Sequence, residues 1–131
     1  MQSEYFEKIT TLLEQANPKL ATTHLLEFKN VFGAVGGYVN GRIFISCGKF
    51  GVALRLPSKI LEGLFNEKVA KCLKYFPKGH IKKEYAVLTS RITKDTRKFR
   101  QLINESIQYV LKYKGRIINK SHSEKFKKIN L

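Results

Sequence analysis

The chain has 131 residues and a mass of 15.1 kDa, with 43% hydrophobic and 27% charged residues. That is one domain's worth of sequence with enough apolar surface for a core, which excludes a largely disordered chain. No apolar run of about 18 residues occurs, so no transmembrane helix is expected. Met1-Gln2-Ser3-Glu4-Tyr5 lacks the layout of a signal peptide, and a cytoplasmic protein is predicted.

The net charge of +15 is uneven: residues 1–77 carry +4 and residues 78–131 carry +11. Such asymmetry is the footprint of a surface for nucleic acid or another acidic partner. Nineteen of the 25 basic residues are Lys, which act as point charges and lack the bidentate fork of Arg. The charge therefore fits either a binding surface or plain Lys-rich composition.

In chain order, Ser3 can cap a helix whose apolar residues recur at Phe6, Ile9, Leu13 and Ala16, and Asn17-Pro18 stops it. Thr22 to Phe32 is rich in β-formers, and Gly33, Gly36 and Gly37 break it at a turn or bulge. Asn40-Gly41 between Tyr38-Val39 and Arg42-Ile43 predicts a two-residue type I′ hairpin turn, whose central positions both need positive φ. The return strand runs from Ile43 to Cys47. Val52, Leu54 and Leu56 then share one face of the next strand, with Arg55 on the other.

Pro57-Ser58 opens a short helix with Ile60, Leu61, Leu64 and Phe65 on its apolar face. Two strand-like pieces flank Phe76-Pro77-Lys78-Gly79-His80, the second running from Tyr85 to Thr89. Asp95 or Thr93 caps the last helix, whose apolar face is Phe99, Leu102, Ile103, Ile107, Val110 and Leu111. Gly115 sits where a glycine would end it. The order is helix, three strands, helix, two strands, helix. Short turns make the neighbouring strands antiparallel, so an α+β domain with about five antiparallel strands and flanking helices is expected over residues 1–115. Residues 116–131 read as a basic tail.

Val31-Phe32-Gly33-Ala34-Val35-Gly36-Gly37-Tyr38-Val39-Asn40-Gly41-Arg42-Ile43-Phe44 resembles the signature stretch of TfoX N-terminal domains. Phe76 to Leu88 is similar to that family's second block, and Ser106-Ile107-Gln108-Tyr109-Val110 to its closing helix. The likeness spans roughly residues 5–113. Its motif residues here are Phe32, Gly33, Gly37, Tyr38, Asn40, Gly41, Arg42, Phe44, Pro77, Gly79 and Tyr85, read as structural. The resemblance implies a single-domain bacterial member with a fold like that of type III secretion chaperones. It also implies a link to TfoX/Sxy competence regulators, which promote transcription of DNA-uptake genes. A non-enzymatic regulatory module is expected, acting through contacts with a protein partner for which the transcription machinery is one candidate, as monomer or homodimer.

The residues themselves offer little chemistry. Cys47 and Cys72 cannot form a disulfide framework or a four-ligand zinc site. Cys72 with His80, or Cys47 with His24, is a weak nucleophile–base pairing, and free Cys commonly serves as a small hydrophobe. His24, His80 and His122 lack metal-ligand spacing. The glycines lead into a strand and hairpin, unlike a phosphate loop, which leads into a helix. No enzyme activity, cofactor or metal is expected.

Three surfaces stand out as partner or nucleic-acid candidates. Lys78, His80 and Lys82 share a face if that stretch is extended. Arg97, Gln101, Asn104, Gln108 and Lys112 form a polar stripe on the last helix. Arg116, Lys120, Lys125, Lys127 and Lys128 line the tail. Nucleic-acid binding through this basic half is the alternative to the protein-contact reading.

Overall fold

The computed structural model describes residues 3–20, 24–74 and 78–112. Its elements are α1 (Ser3–Ala16), β1 (Leu26–Val31), β2 (Ala34–Val39), β3 (Arg42–Gly48), β4 (Gly51–Arg55), α2 (Ser58–Asn66), β5 (Ala70–Leu73), β6 (Lys82–Leu88), α3 (Ser90–Thr93) and α4 (Thr96–Lys112). The strands form one sheet of six, in the order β1-β2-β3-β4-β6-β5, with every neighbouring pair antiparallel. The α+β class is as expected, but there are six strands where about five were expected.

The difference arises at Phe32-Gly33. These two residues take φ of 47° and 80°, the doubly positive signature of a type I′ turn, so the break expected at Gly33 is a hairpin turn, and Ala34–Val39 beyond it form a separate strand, β2. Gly36 and Gly37 lie inside β2, and the expected bulge falls beside them, where the β2–β3 pairing shifts between Gly37 and Tyr38. A Cβ on Gly37 would stand 2.7 Å from Ile45 Cγ2, and one on Gly36 would stand 2.9 Å from Ile43 Cδ1. At Gly37 that space is held by a methyl close to its own backbone, whereas at Gly36 the tip of the Ile43 side chain would have to move. The Asn40-Gly41 turn forms where expected, with φ of 51° and 78°.

Strand pairing places Phe28, Gly37, Ile45, Leu54 and Ala86 in one row across the sheet, and Val35, Cys47, Val52 and Leu88 in the next. A β-bulge sets the inward residues of β3: Gly37 pairs with Ile45 and Tyr38 with Ile43, leaving Phe44 as the extra residue. Phe44 and Ile45 are consecutive, yet both are fully buried.

All four helices contribute to the core on that face. Ile9, Leu13 and Ala16 of α1, Leu61 and Leu64 of α2, Ile92 of α3, and Phe99, Leu102, Ile103, Ile107 and Val110 of α4 join the two strand rows in one cluster. This apolar burial, worth about 25 cal/mol per Å², is the main force holding the layers together. Phe6, expected on the buried face of α1, is exposed and stands edge-on against the Phe28 ring, centroids 5.6 Å apart.

Polar bonds fix how the helices sit. Asp95 Oδ1 accepts from the Lys98 N–H at 3.2 Å, which makes Asp95 the cap of α4. Arg100 Nε donates to the Ala16 carbonyl at 2.5 Å, placing a cation at the negative end of α1. The β3–β4 ladder stops at Ile45 and Leu54, and the Ser106 hydroxyl lies 2.9 Å from the Phe44 carbonyl and 2.6 Å from that of Arg55. One buried serine thereby serves carbonyls that the sheet leaves unpaired. The expected Ser3 cap, the Gly115 helix end, the 1–115 boundary and the tail fall outside the described residues or side chains. No helix among the described residues is long and apolar enough to cross a membrane.

Candidate interaction surfaces

The motif residues sit in turns, strands and the core. Phe32 and Gly33 form the first turn, Asn40 and Gly41 the second. Asn40 also anchors the incoming chain: its backbone N–H donates to the Leu25 carbonyl and its Oδ1 accepts from the Leu25 N–H, both at 2.8 Å. Tyr38 is half-buried, with Lys29 Nζ 5.5 Å from its ring centroid. Arg42 opens β3 opposite Val39, and Tyr85 in β6 pairs with Arg55. Phe44 is buried beneath α4 and Gly79 is half-buried in a turn, while Pro77 lies outside the described residues.

The cysteines differ from each other. Cys47 is fully buried in β3, and burial pushes its thiol pKa up. Cys72 is exposed on the edge strand β5. Among the described residues no group of three or more His, Cys, Asp or Glu side chains is placed to hold a metal ion. An ion pair joins Arg55 Nε to Glu84 Oε1 at 2.7 Å. Burial works against the charge of Arg55, but the hydrogen bond to Glu84 and the nearby Tyr85, Glu84 and Tyr109 outweigh it and raise its pKa.

The three expected surfaces fare differently. Lys78 and His80 are exposed but not extended; the chain turns there and strand geometry begins only at Lys82. The alternate spacing therefore does not place them on one strand face. On α4, Arg97, Gln101, Gln108 and Lys112 are exposed, whereas Asn104 is half-buried and accepts the Lys19 N–H at 3.0 Å. Asn104 thus tethers the α1–β1 connection. Arg116, Lys120, Lys125, Lys127 and Lys128 lie outside the described residues.

A more extended surface gathers around the β5–β6 hairpin. Lys68, Lys71, Lys74, Lys78, Lys82 and Lys83 are all exposed, as is His80. No carboxylate occurs in the sequence between Glu67 and Glu84. β5 is an edge strand, so the hairpin forms one margin of the sheet. The spacing of Lys78, His80 and Lys82 drew attention to this connection. The run of basic residues without an acid, beginning at Lys68, was the signal that defines the whole patch.

A second feature is an apolar groove of about 320 Å³ between α1 and the β1–β3 end of the sheet. Leu13, Pro18, Leu20, Leu26, Phe28 and Phe44 line it, with Thr10, Glu14 and Asn17 as its polar members. No sequence pattern pointed to it, because its walls come from a helix, a connection and two strands that only the fold assembles. Comparison with family models, curated proteins and solved structures finds no match for this chain.

Proposed function

We propose that this chain is a non-enzymatic regulatory binding module of the TfoX N-terminal kind, and that it engages nucleic acid through the basic β5–β6 hairpin. The hairpin carries this reading: six exposed lysines and His80 occupy one margin with no intervening carboxylate. Spread point charges suit a phosphate backbone, where each neutralised phosphate releases counterions and contributes affinity without base recognition. The resemblance of residues 31–44 and 76–88 to TfoX N-terminal domains supports a role in transcriptional control, with competence the implied process. The hairpin sits opposite β1 in the strand order, away from the tight turns at 32–33 and 40–41.

Gel-shift titration of the full chain on a short duplex at two salt concentrations tests the proposal. Binding should weaken steeply with salt, with a slope near 0.9 per phosphate contacted on log–log axes. Exchanging Lys71, Lys78, Lys82 and Lys83 together for Ala should flatten that slope. Absence of binding at low salt, or a slope unmoved by the four exchanges, overturns it.

The groove beside α1 favours a second reading, contact with a protein partner through an apolar anchor. Recovery of partners from native lysate, with and without nuclease, separates the two. A nucleic-acid module loses its co-purifying material on nuclease treatment, and a protein-binding module keeps it.

A further inference from the structure

The two edges of the sheet differ in how they meet another strand. On β5 the exposed Lys71 lies in a stretch with no carboxylate between Glu67 and Glu84, and uncompensated charge of that kind keeps strands apart. On β1 the order is Leu26-Glu27-Phe28-Lys29-Asn30-Val31, which sets a carboxylate and an ammonium on either side of Phe28. Among the described residues no strand pairs with the outer side of β1. The ladder to β2 shows which backbone groups point outward. The Asn40 N–H donates to the Leu25 carbonyl, and Val31 pairs with Ala34 across a two-residue turn. Hydrogen-bonded positions alternate along an antiparallel pair, so Leu25, Glu27, Lys29 and Val31 turn their amides toward β2. Leu26, Phe28 and Asn30 therefore turn theirs away from the sheet.

We infer that β1 pairs antiparallel with β1 of a second copy of this chain, about a two-fold axis through Phe28. The strand is complementary to itself in that register. Phe28 meets its own counterpart, Leu26 meets Asn30, and Glu27 meets Lys29 on both sides of the axis. The outward amides of Leu26, Phe28 and Asn30 then make about six backbone hydrogen bonds. The Glu27–Lys29 pairs fall at the non-hydrogen-bonded positions, where side chains stand closest. Sliding one strand by two residues sets Glu27 against Glu27 or Lys29 against Lys29, so charge selects the register. The arrangement is isologous and closes as a dimer.

The surroundings of β1 fit such a partner on both faces. Glu27 is half-buried, and its Oε1 is enclosed with no hydrogen-bond partner among the described residues. A cation brought beside that carboxylate offsets a desolvation cost already incurred. Lys29 is exposed on the same face, its Nζ 5.5 Å from the ring centroid of Tyr38, the residue that pairs with Glu27. On the helix side, α1 packs chiefly on β2 and β3 and leaves the β1 edge room for a neighbour. Phe6, 43% exposed and edge-on to Phe28, flanks the axis there. Pairing brings the two Phe28 Cα atoms to about 5.5 Å and covers ring surface now open to water. The net charge opposes association least in this arrangement, because the basic β5–β6 hairpins stand at the two outer margins of the joined sheet.

Sedimentation equilibrium of the nuclease-treated full chain tests this without reference to nucleic-acid binding. At high concentration it should give twice the 15.1 kDa chain mass. Glu27→Lys and Lys29→Glu each turn both ion pairs into like-charge pairs, so each variant alone should dimerise at least about tenfold more weakly. Mixed together, the two variants should recover the dimer, because position 27 of each then faces the opposite charge at position 29 of the other. Amide exchange in the wild-type chain adds a measurement that no variant's folding can spoil. Protection of the Phe28 amide should rise with protein concentration, while that of Lys29, already directed at β2, should not. A single-chain mass at every concentration overturns the inference. So does a dimer that both exchanges leave untouched, a mixture no tighter than its components, or Phe28 protection that is independent of concentration.

Discussion

At the β1–β3 end of the sheet, adjacent strands are joined by Phe32-Gly33 and Asn40-Gly41, two-residue turns that fix the register tightly. At the β5–β6 end, the strands are joined by the longer 74–81 connection, while each end carries one register shift, between Gly37 and Tyr38 and between Cys72 and Leu73. The first end is held by backbone conformation and by space that admits no Cβ. The second presents exposed lysines. Substitutions at the first should therefore cost stability, and substitutions at the second should cost binding.

The largest effect is expected at Gly37. Its Cβ would meet Ile45 Cγ2 at 2.7 Å and the Phe28 ring at 3.3 Å. The Ile45 methyl sits close to its own backbone and cannot swing away, so strand separation is the alternative to a clash. Gly37→Val should lower stability by about 3 kcal/mol, as overpacking a filled core does. Chemical denaturation measures it, and an unchanged midpoint would show that the first end tolerates filling.

The turns should follow with smaller costs. Gly41 has φ of 78°, so Gly41→Val forces a β-branched residue into the left-handed region and should cost about 1–2 kcal/mol. Gly33 has φ of 80° and nothing within 4 Å of a built Cβ, which isolates backbone strain from crowding. Gly33→Ala should therefore cost about 1 kcal/mol. A loss at Gly33 equal to that at Gly37 would mean that space is not what distinguishes the two glycines.

Phe32 carries the opposite sign. It is a bulky residue at φ 47° and 65% exposed. Asn adopts that conformation far more readily, as Asn40 does at φ 51° in the second turn. Phe32→Asn should raise stability by about 0.5–1 kcal/mol, seen as a higher Tm. A fall in Tm would show that the Phe32 ring contributes more than its backbone conformation costs.

These two turns also show how far the sequence could be read. Asn40-Gly41 is identifiable because both residues favour positive φ. Phe32-Gly33 has the same backbone, but Phe gives no such signal, so β1 and β2 read as one interrupted strand. Helical periodicity located α1, α2 and α4, whose buried faces recur every three or four residues. The short α3 offers too few residues for a period. The bulge at Phe44 breaks the two-residue alternation, so Phe44 and Ile45 could not both be assigned inward from pattern alone. Ser106 and Asn104 read as ordinary polar positions on α4, and only the packed structure shows them bonding Phe44, Arg55 and Lys19. At the candidate site, Lys78, His80 and Lys82 were visible by spacing, but Lys68, Lys71, Lys74 and Lys83 join them only because β5 and β6 pair.

The smallest expected change in stability is at the basic end. Lys71, Lys78, Lys82 and Lys83 are exposed, so removing their charges withdraws no core contact. Surface positions of this kind usually alter stability by no more than about 0.5 kcal/mol. Mutual repulsion among like charges can even make their removal slightly favourable. Exchanging all four for Ala should leave the thermal midpoint within the scatter expected for surface changes, while the same protein loses affinity and salt dependence on duplex nucleic acid. Lys71 adds a further check. It lies on edge strand β5, where charge discourages pairing with another sheet edge. Lys71→Ala alone should therefore leave melting unchanged and, at high protein concentration, increase self-association measured by sedimentation. A large loss of stability in the fourfold variant would mean that the lysines help hold the hairpin, and the division of labour between the two ends of the sheet would fail.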